Sequence, residues 1–409
     1  MKRKIRVLHV ISNFGLGGAE VWIIALLKFF KECEAELPVT IESDVFLTNG
    51  EPSYFDSQAL DLGATLFYSR YSRETIIRFV HDWRCCLKNR QYDVIHDHQE
   101  FSAGWHFLMG AGLLPKVTIA HLHNPMSHQI SYSSSVTRKM ILSIGNRLIA
   151  RFATNLLSTS AQLIDEHGFN SKTFKNLSKE AVHCGFDTSR FLGDTNADKK
   201  SICLEFGLPF DSRILLFVGR LDSHQDQTLN QKNPSFCLEI ARCCADVDPG
   251  FFCLIAGGGA RMQTLLEERV RGWGLLTRIL FLGPRTDVPR LMRGASALIL
   301  PSISEGLGMV AVEAQASGLP VIASDAVPRE CAVVDELVDF LPLSAGAEFW
   351  ATAVFSRFAK TSRDIYRANS KVKSSKFSIH NSAGRLSEIY QGLRVKETDV
   401  LPVLSSEVD

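Results

Sequence analysis

Two glutamates spaced to act together stand out in the stretch Ser304-Glu305-Gly306-Leu307-Gly308-Met309-Val310-Ala311-Val312-Glu313-Ala314. Glu305 falls in a loop after an apolar run ending Leu300-Pro301-Ser302. Glu313 lies about two helical turns further on, inside an apolar helix. A carboxylate in such a helix needs polar partners, and a carboxylate accepts well from a pair of adjacent hydroxyls. Gly306 and Gly308 leave backbone N–H groups open at the helix start, which suits phosphate oxygens. A second group is cationic: Arg220 closes the run Val218-Gly219-Arg220, and Lys232 follows in Gln231-Lys232-Asn233-Pro234. At a strand's carboxyl end a guanidinium can fork two phosphate oxygens, and the lysine adds a point charge. The third group is Asn13-Phe14-Gly15-Leu16-Gly17-Gly18-Ala19-Glu20. Its glycines and the helix that follows suit a diphosphate, although the pattern also serves a tight turn and is not the G-x-G-x-x-G dinucleotide fingerprint.

The elements that position these groups alternate. Strands are expected over 5–11, 40–47, 93–98 and 116–122, with helices over 19–30 and 73–88. The scheme repeats with strands over 213–218, 251–256, 278–282, 297–300 and 320–323, and helices over 235–245, 263–273 and 308–317. This alternation predicts an α/β chain of two doubly wound parallel sheets. Ligands of open parallel sheets sit beyond the strands' carboxyl ends, so two such sheets facing each other place their site in the cleft between them. Expected boundaries are a first domain over 1–190, a polar linker over 192–200, a second domain over 201–375, a helix over 376–395 and a disordered tail over 396–409.

In this order, the motifs resemble the retaining glycosyltransferases of the GT-B type, family 4, whose signature is the E-x7-E pair. Phe281-Leu282-Gly283-Pro284-Arg285-Thr286-Asp287-Val288-Pro289, Ala316-Ser317-Gly318-Leu319-Pro320 and His183-Cys184-Gly185-Phe186-Asp187 fit the same pattern, and the similarity covers roughly residues 5–393. The resemblance implies a C-terminal helix crossing back to the first domain. It implies that Gly17 and Gly18 face the donor diphosphate and that Arg220 and Lys232 neutralise the leaving group. Glu305 and His123 would meet the transferred sugar, Glu313 the ribose, and Gly283, Arg285, Gly308 and Met309 the rest of the nucleotide. The implied reaction moves a hexosyl unit from a UDP- or GDP-sugar to a glycan or lipid-linked acceptor, with retention and no metal or other cofactor. One departure concerns Lys232, which in relatives stands closer to the arginine. Here residues 223–230 read as an insertion, and a bulged loop accommodates them. A non-catalytic sugar-nucleotide-binding subunit of a membrane complex is the alternative; a GT-B epimerase would lack this E-x7-E context.

His96-Asp97-His98 and His121-Leu122-His123 each end a strand. Residues i and i+2 share a strand face, so four imidazoles can converge near the cleft, to hold a metal or to serve the sugar or acceptor. Asp246-Val247-Asp248 spells a metal-binding D-x-D but precedes a strand, at the wrong edge of the sheet, and reads as a solvated turn. Residues 138–152 interleave basic and apolar residues, for an anionic membrane surface or for ordinary packing.

Composition narrows the field. A formal net charge of +1 argues against nucleic acid as partner. Ten cysteines without a C-x-x-C pair read as buried thiols in a reducing compartment. No signal peptide or run of 18 apolar residues is read in the chain. The expected location is therefore the cytoplasm, with contact at the inner face of the membrane.

Overall fold

The computed structural model describes residues 2–15, 17–126, 135–221, 231–359 and 363–393. The inserted stretch 223–230 and the tail 396–409 lie outside the described residues.

Apolar runs bounded by turns become strands, and those buried on both faces become the centres of two parallel sheets. The first sheet contains β1 (Arg3–Ile11), β2 (Val39–Leu47), β3 (Leu66–Tyr68), β4 (Val94–Asp97), β5 (Val117–Leu122), β6 (Asn155–Ser158) and β7 (Ser178–Ala181), in the order β3-β2-β1-β4-β5-β6-β7. The second contains β8 (Arg213–Val218), β9 (Phe251–Ala256), β10 (Ile279–Gly283), β11 (Ala297–Leu300), β12 (Val321–Ser324) and β13 (Val338–Leu341), in the order β10-β9-β8-β11-β12-β13. Strand order reverses between β1 and β4, and again between β8 and β11. These two switch points open crevices at the carboxyl ends; Gly17 and Gly18 follow β1, Arg220 and Lys232 follow β8, and Glu305 follows β11.

The helix Ile379–Tyr390 belongs in sequence to the second half but packs on the first. Ile379, Ala383, Leu386, Ile389 and Tyr390 share a buried cluster with Ile5, Val7, Trp22 and Leu26. The Trp22 indole N–H donates to Ser382 Oγ at 3.1 Å. Phe186 pairs with Ser378 where the chain passes between the halves. A Cβ on Gly185 would lie 2.6 Å from the Ser378 carbonyl oxygen, so this crossing requires glycine.

Two expectations need correction. The polar stretch 192–200 is not a linker: the helix Thr195–Phe206 begins inside it. Asp194 caps that helix, accepting from the backbone N–H of Asn196 at 2.9 Å and of Ala197 at 3.1 Å. Its polarity is that of an exposed first turn, while Ile202 and Cys203 are buried. Asp248 of the D-x-D sequence is at the amino edge as expected, but it is buried, not solvated. It binds Arg213 at 2.5 Å and the Gly250 N–H at 2.8 Å, and so ties the start of β8 to the turn before β9.

Candidate active site

The helix Met309–Ala316 starts at Gly308, which has φ +83° and a Cβ position 2.9 Å from Val327. Only glycine meets both conditions without strain. Buried Gln315 fixes the helix. Its amide donates to the Ala311 and Cys331 carbonyls, each at 2.8 Å, and accepts from the N–H of Val333 at 2.9 Å and of Val334 at 2.8 Å. Glu313 projects from the same helix. Burial pushes its carboxyl up to about 7, against the opposing charges of Arg190 and Lys232. Met309 packs against the cores of both halves.

Glu305 is 9% exposed. Its Oε1 accepts from the Lys232 ammonium and from Ser302 Oγ, both at 2.6 Å. Lys232 returns to the cleft despite the insertion before it: the Gln231 carbonyl accepts from the Ile303 N–H at 2.7 Å, and the lysine stem lies beside Gly219. The structure therefore brings Lys232, Glu305 and Glu313 together at the β8–β11 switch. Arg220 is exposed at the end of β8, and its charge reaches Glu20 of the other half. Gly257 leaves room for this turn, since a Cβ there would collide with the Gly219 carbonyl.

On the first half, Gly17 caps the helix Gly18–Glu32 and lies against the Glu20 carboxylate. Burial raises the Glu20 pKa, opposed by its own backbone N–H and by Arg220. Gly18 faces open space. Gly283 has φ +66° at a bulge in β10, and its carbonyl accepts from the Gly257 N–H at 2.9 Å. Arg285 is not gathered with the other candidates. Its guanidinium binds Asp287 twice at 2.8 Å and Glu205 at 3.0 Å.

His123 stands across the cleft. A Cβ on Gly306 would collide with the His123 carbonyl, so the Glu305 loop closes directly onto the first half. The two halves also meet at Glu330, which accepts from the Ala161 N–H at 3.0 Å and pairs with His183 at 2.9 Å. Burial would raise Glu330, but His183 and Lys376 bring it down to about 2.

The four histidines of the two H-x-H sequences do converge, and a fifth joins them from β1: His9, in register with His96. The Trp22 ring edge faces His96, His98 and His121. Two triplets, His9/His96/His98 and His98/His121/His123, bring ligand atoms within 4.8 Å of one another. Neither triplet contains a carboxylate, and hydrogen bonds already link the rings, so a divalent cation would enter without balancing charge. His9 was legible as the one polar residue in the buried run from Val7 to Ile11 of β1. Glu100 was not. Its Oε1 accepts from the His123 N–H at 3.2 Å and from the Asn124 amide at 2.9 Å, and burial pushes its carboxyl up to about 7.

Residues 212–353 match the family model described as glycosyl transferases group 1. The glycosyltransferase EpsF of Bacillus subtilis is 30% identical over 356 residues, 85% of this chain and 86% of its own. A D-inositol 3-phosphate glycosyltransferase of Mycobacteroides abscessus is 29% identical over 68% of this chain and 61% of its own. Among solved structures, HepE of Anabaena in complex with UDP and glucose superposes with a TM-score of 0.75 at 16% identity, over 95% of this chain and 100% of that one.

Proposed function

Because the chain belongs to the group 1 glycosyltransferases and has their GT-B fold, we propose that it moves a hexosyl unit from a UDP- or GDP-sugar to a glycan or lipid-linked acceptor, with retention of configuration. The observation that carries this reading is the Lys232–Glu305–Ser302 group beside Glu313, facing His123 across the cleft.

Breaking the bond between the anomeric carbon and the diphosphate builds positive charge on the sugar and negative charge on the leaving group. Arg220 and Lys232 stabilise the diphosphate as its charge develops, a role that needs no metal. Glu305, held by Ser302 and Lys232, accepts from hydroxyls of the transferred sugar. Glu313 accepts from the ribose hydroxyls. Open N–H groups at Gly17 and Gly18 face the diphosphate from the other side, and the backbone of 283–287 meets the base. UDP is the favoured nucleotide, in line with the HepE complex.

The acceptor side supports a lipid or a growing surface glycan. On the helix Val136–Phe152 only Gly145 and Ile149 are buried. Val136, Met140, Ile141 and Ile144 are exposed, interleaved with basic residues, which is the composition of a helix lying on an anionic leaflet. No helix among the described residues is long and apolar enough to cross a membrane. The reading places the protein in the cytoplasm, at the inner membrane face.

The test is a thermal-shift series with UDP, GDP, ADP and their sugars, with and without EDTA. One nucleotide should raise the melting temperature equally in both buffers. Stabilisation only with added divalent metal would overturn the metal-free reading. Binding without hydrolysis or transfer would favour a sugar-nucleotide-binding subunit.

A further inference from the structure

Behind His123, the first sheet carries a chain of imidazoles. His9 Nδ1 lies 3.1 Å from His98 Nε2, and His98 Nδ1 lies 2.9 Å from His123 Nε2. The chain runs from full burial at His9, through 4% exposure at His98, to His123, a partly exposed residue at the cleft. A separate chain, from the Tyr390 hydroxyl through His96 to His121, lies beside it at 2.8 and 3.0 Å. Tyr390 thereby anchors the crossing helix to the same cluster.

All three rings of the first chain are neutral. Burial holds His9 and His123 at about 3, and burial together with its histidine neighbours lowers His98 well below the usual range. A neutral imidazole carries one proton, so it donates from one nitrogen and accepts at the other. Three rings joined by two bonds then have only two arrangements. Either every proton sits on Nδ1 and the chain donates toward the cleft, or every proton sits on Nε2 and it donates inward.

The buried end decides between them. His9 Nε2 is enclosed and has no hydrogen-bond partner among the described residues. In the inward arrangement this nitrogen would hold a buried, unsatisfied N–H; in the outward one it holds only an unused lone pair. Orphaned buried N–H groups are the rarer of the two, because a buried donor without an acceptor keeps the full cost of its lost hydration. The outward arrangement therefore prevails.

We propose that His9 and His98 are positioning residues that fix the tautomer of His123, so that its Nδ1 carries the proton and donates to a ligand oxygen in the cleft. The ligand half of this statement rests on the sugar-nucleotide reading above; the tautomer half does not. The partner it selects is a lone pair on a sugar hydroxyl, so a deoxy analogue lacking that oxygen loses the bond. Glu100 completes the arrangement by holding the His123 N–H. Its own backbone sits at φ +46°, ψ −126°, a conformation that non-glycine residues rarely adopt. Backbone and ring of His123 are thus fixed by different residues.

The test reads protons directly. Long-range proton–nitrogen correlation spectra of the full-length protein, labelled with 15N-histidine, report which ring nitrogen is protonated; His123→Gln assigns the signal. The expected result is the Nδ1–H form for His123, the less common form of free histidine. His9→Asn offers an amide N–H where Nδ1–H was, so the tautomer should persist and most turnover should remain. His9→Asp, read at a pH that keeps its carboxyl ionised, offers only an acceptor. It should reverse the chain and lower kcat about 10-fold, the value of one hydrogen bond, with a smaller change in donor KM. An Nε2–H form of His123 in the native protein, or an unchanged tautomer in a folded His9→Asp variant, overturns the proposal. So does a transition metal bound stoichiometrically in place of the ring protons. Should His9→Asp not fold, the native spectrum alone decides. Tautomers that follow His9 in a protein that turns over no sugar nucleotide would sink the cleft reading and leave the relay standing.

Discussion

At the scale of single residues, the site depends on carboxylates held in opposite ways. Glu305 is tied to a cation and a hydroxyl, whereas Glu313 is half-buried and without a hydrogen bond among the described residues. Glu305→Gln keeps the shape but not the charge. It should lower turnover about 10²–10³-fold, the range for losing one preorganised polar contact, while far-UV circular dichroism stays native. Lys232→Ala should fall in the same range. Glu313 gives a sharper signal. Its carboxyl, raised to about 7 by burial, must ionise to accept from two hydroxyls. Nucleotide binding near pH 7 should therefore release about half a proton. Calorimetry in buffers of different ionisation enthalpy measures this, and Glu313→Gln should abolish it. Residue types after strands pointed to Glu305 and Lys232, and a carboxylate inside an apolar helix pointed to Glu313; the structure brings the three together. Residue types could not select Glu100, because its role lies in a backbone conformation and a contact 23 positions away.

At the scale of elements, the alternating pattern marks the central strands well, because strands buried on both faces are continuously apolar. Edge strands escape it. β7 reads Ser-Lys-Glu-Ala and is only half buried, so nothing in its composition separates it from a loop; pairing with β6 makes it a strand. The stretch 192–200 misleads for the complementary reason, since the exposed first turn of a helix is as polar as a linker. Loop geometry also matters for closure. Gly306→Ala would push a Cβ into the His123 carbonyl, and overpacking of this kind costs about 1–3 kcal/mol. The expected outcome is a lower melting temperature and donor binding weakened about 10-fold. Native values in both measurements would mean that the loop and His123 are not in contact in solution.

At the scale of the whole molecule, the histidine cluster sets the response to acid. His9, His96, His98, His121 and His123 all have pKa values below the ordinary 6.5 in the folded state. The unfolded chain therefore binds more protons, and each ring removes about 1.4 kcal/mol of stability per pH unit below about 6. Glu100 and Glu313, raised to about 7, act in the other direction: the folded state takes up their protons first, down to their ordinary range near 4.5. Among these seven groups, five rings against two carboxyls leave a net loss of about 4 kcal/mol per unit between roughly pH 6 and 4.5. Scanning calorimetry should show a melting temperature that drops steeply across that interval; a flat profile would mean that the rings are not buried as neutral groups. The helix Val136–Phe152 should carry the protein onto anionic vesicles and not onto zwitterionic ones, and Met140→Glu with Ile144→Glu should release it.

Under the proposed function, Lys232, Glu305 and Glu313 form one metal-free sugar-nucleotide site. Its most direct test is the rate of nucleoside diphosphate release from UDP-hexoses and GDP-hexoses in EDTA, for the native protein and Glu305→Gln side by side. The expected result is release from one donor by the native protein and a loss of about 10²-fold or more in a folded variant. Equal rates in the two proteins, or release only after a divalent metal is added, would contradict it.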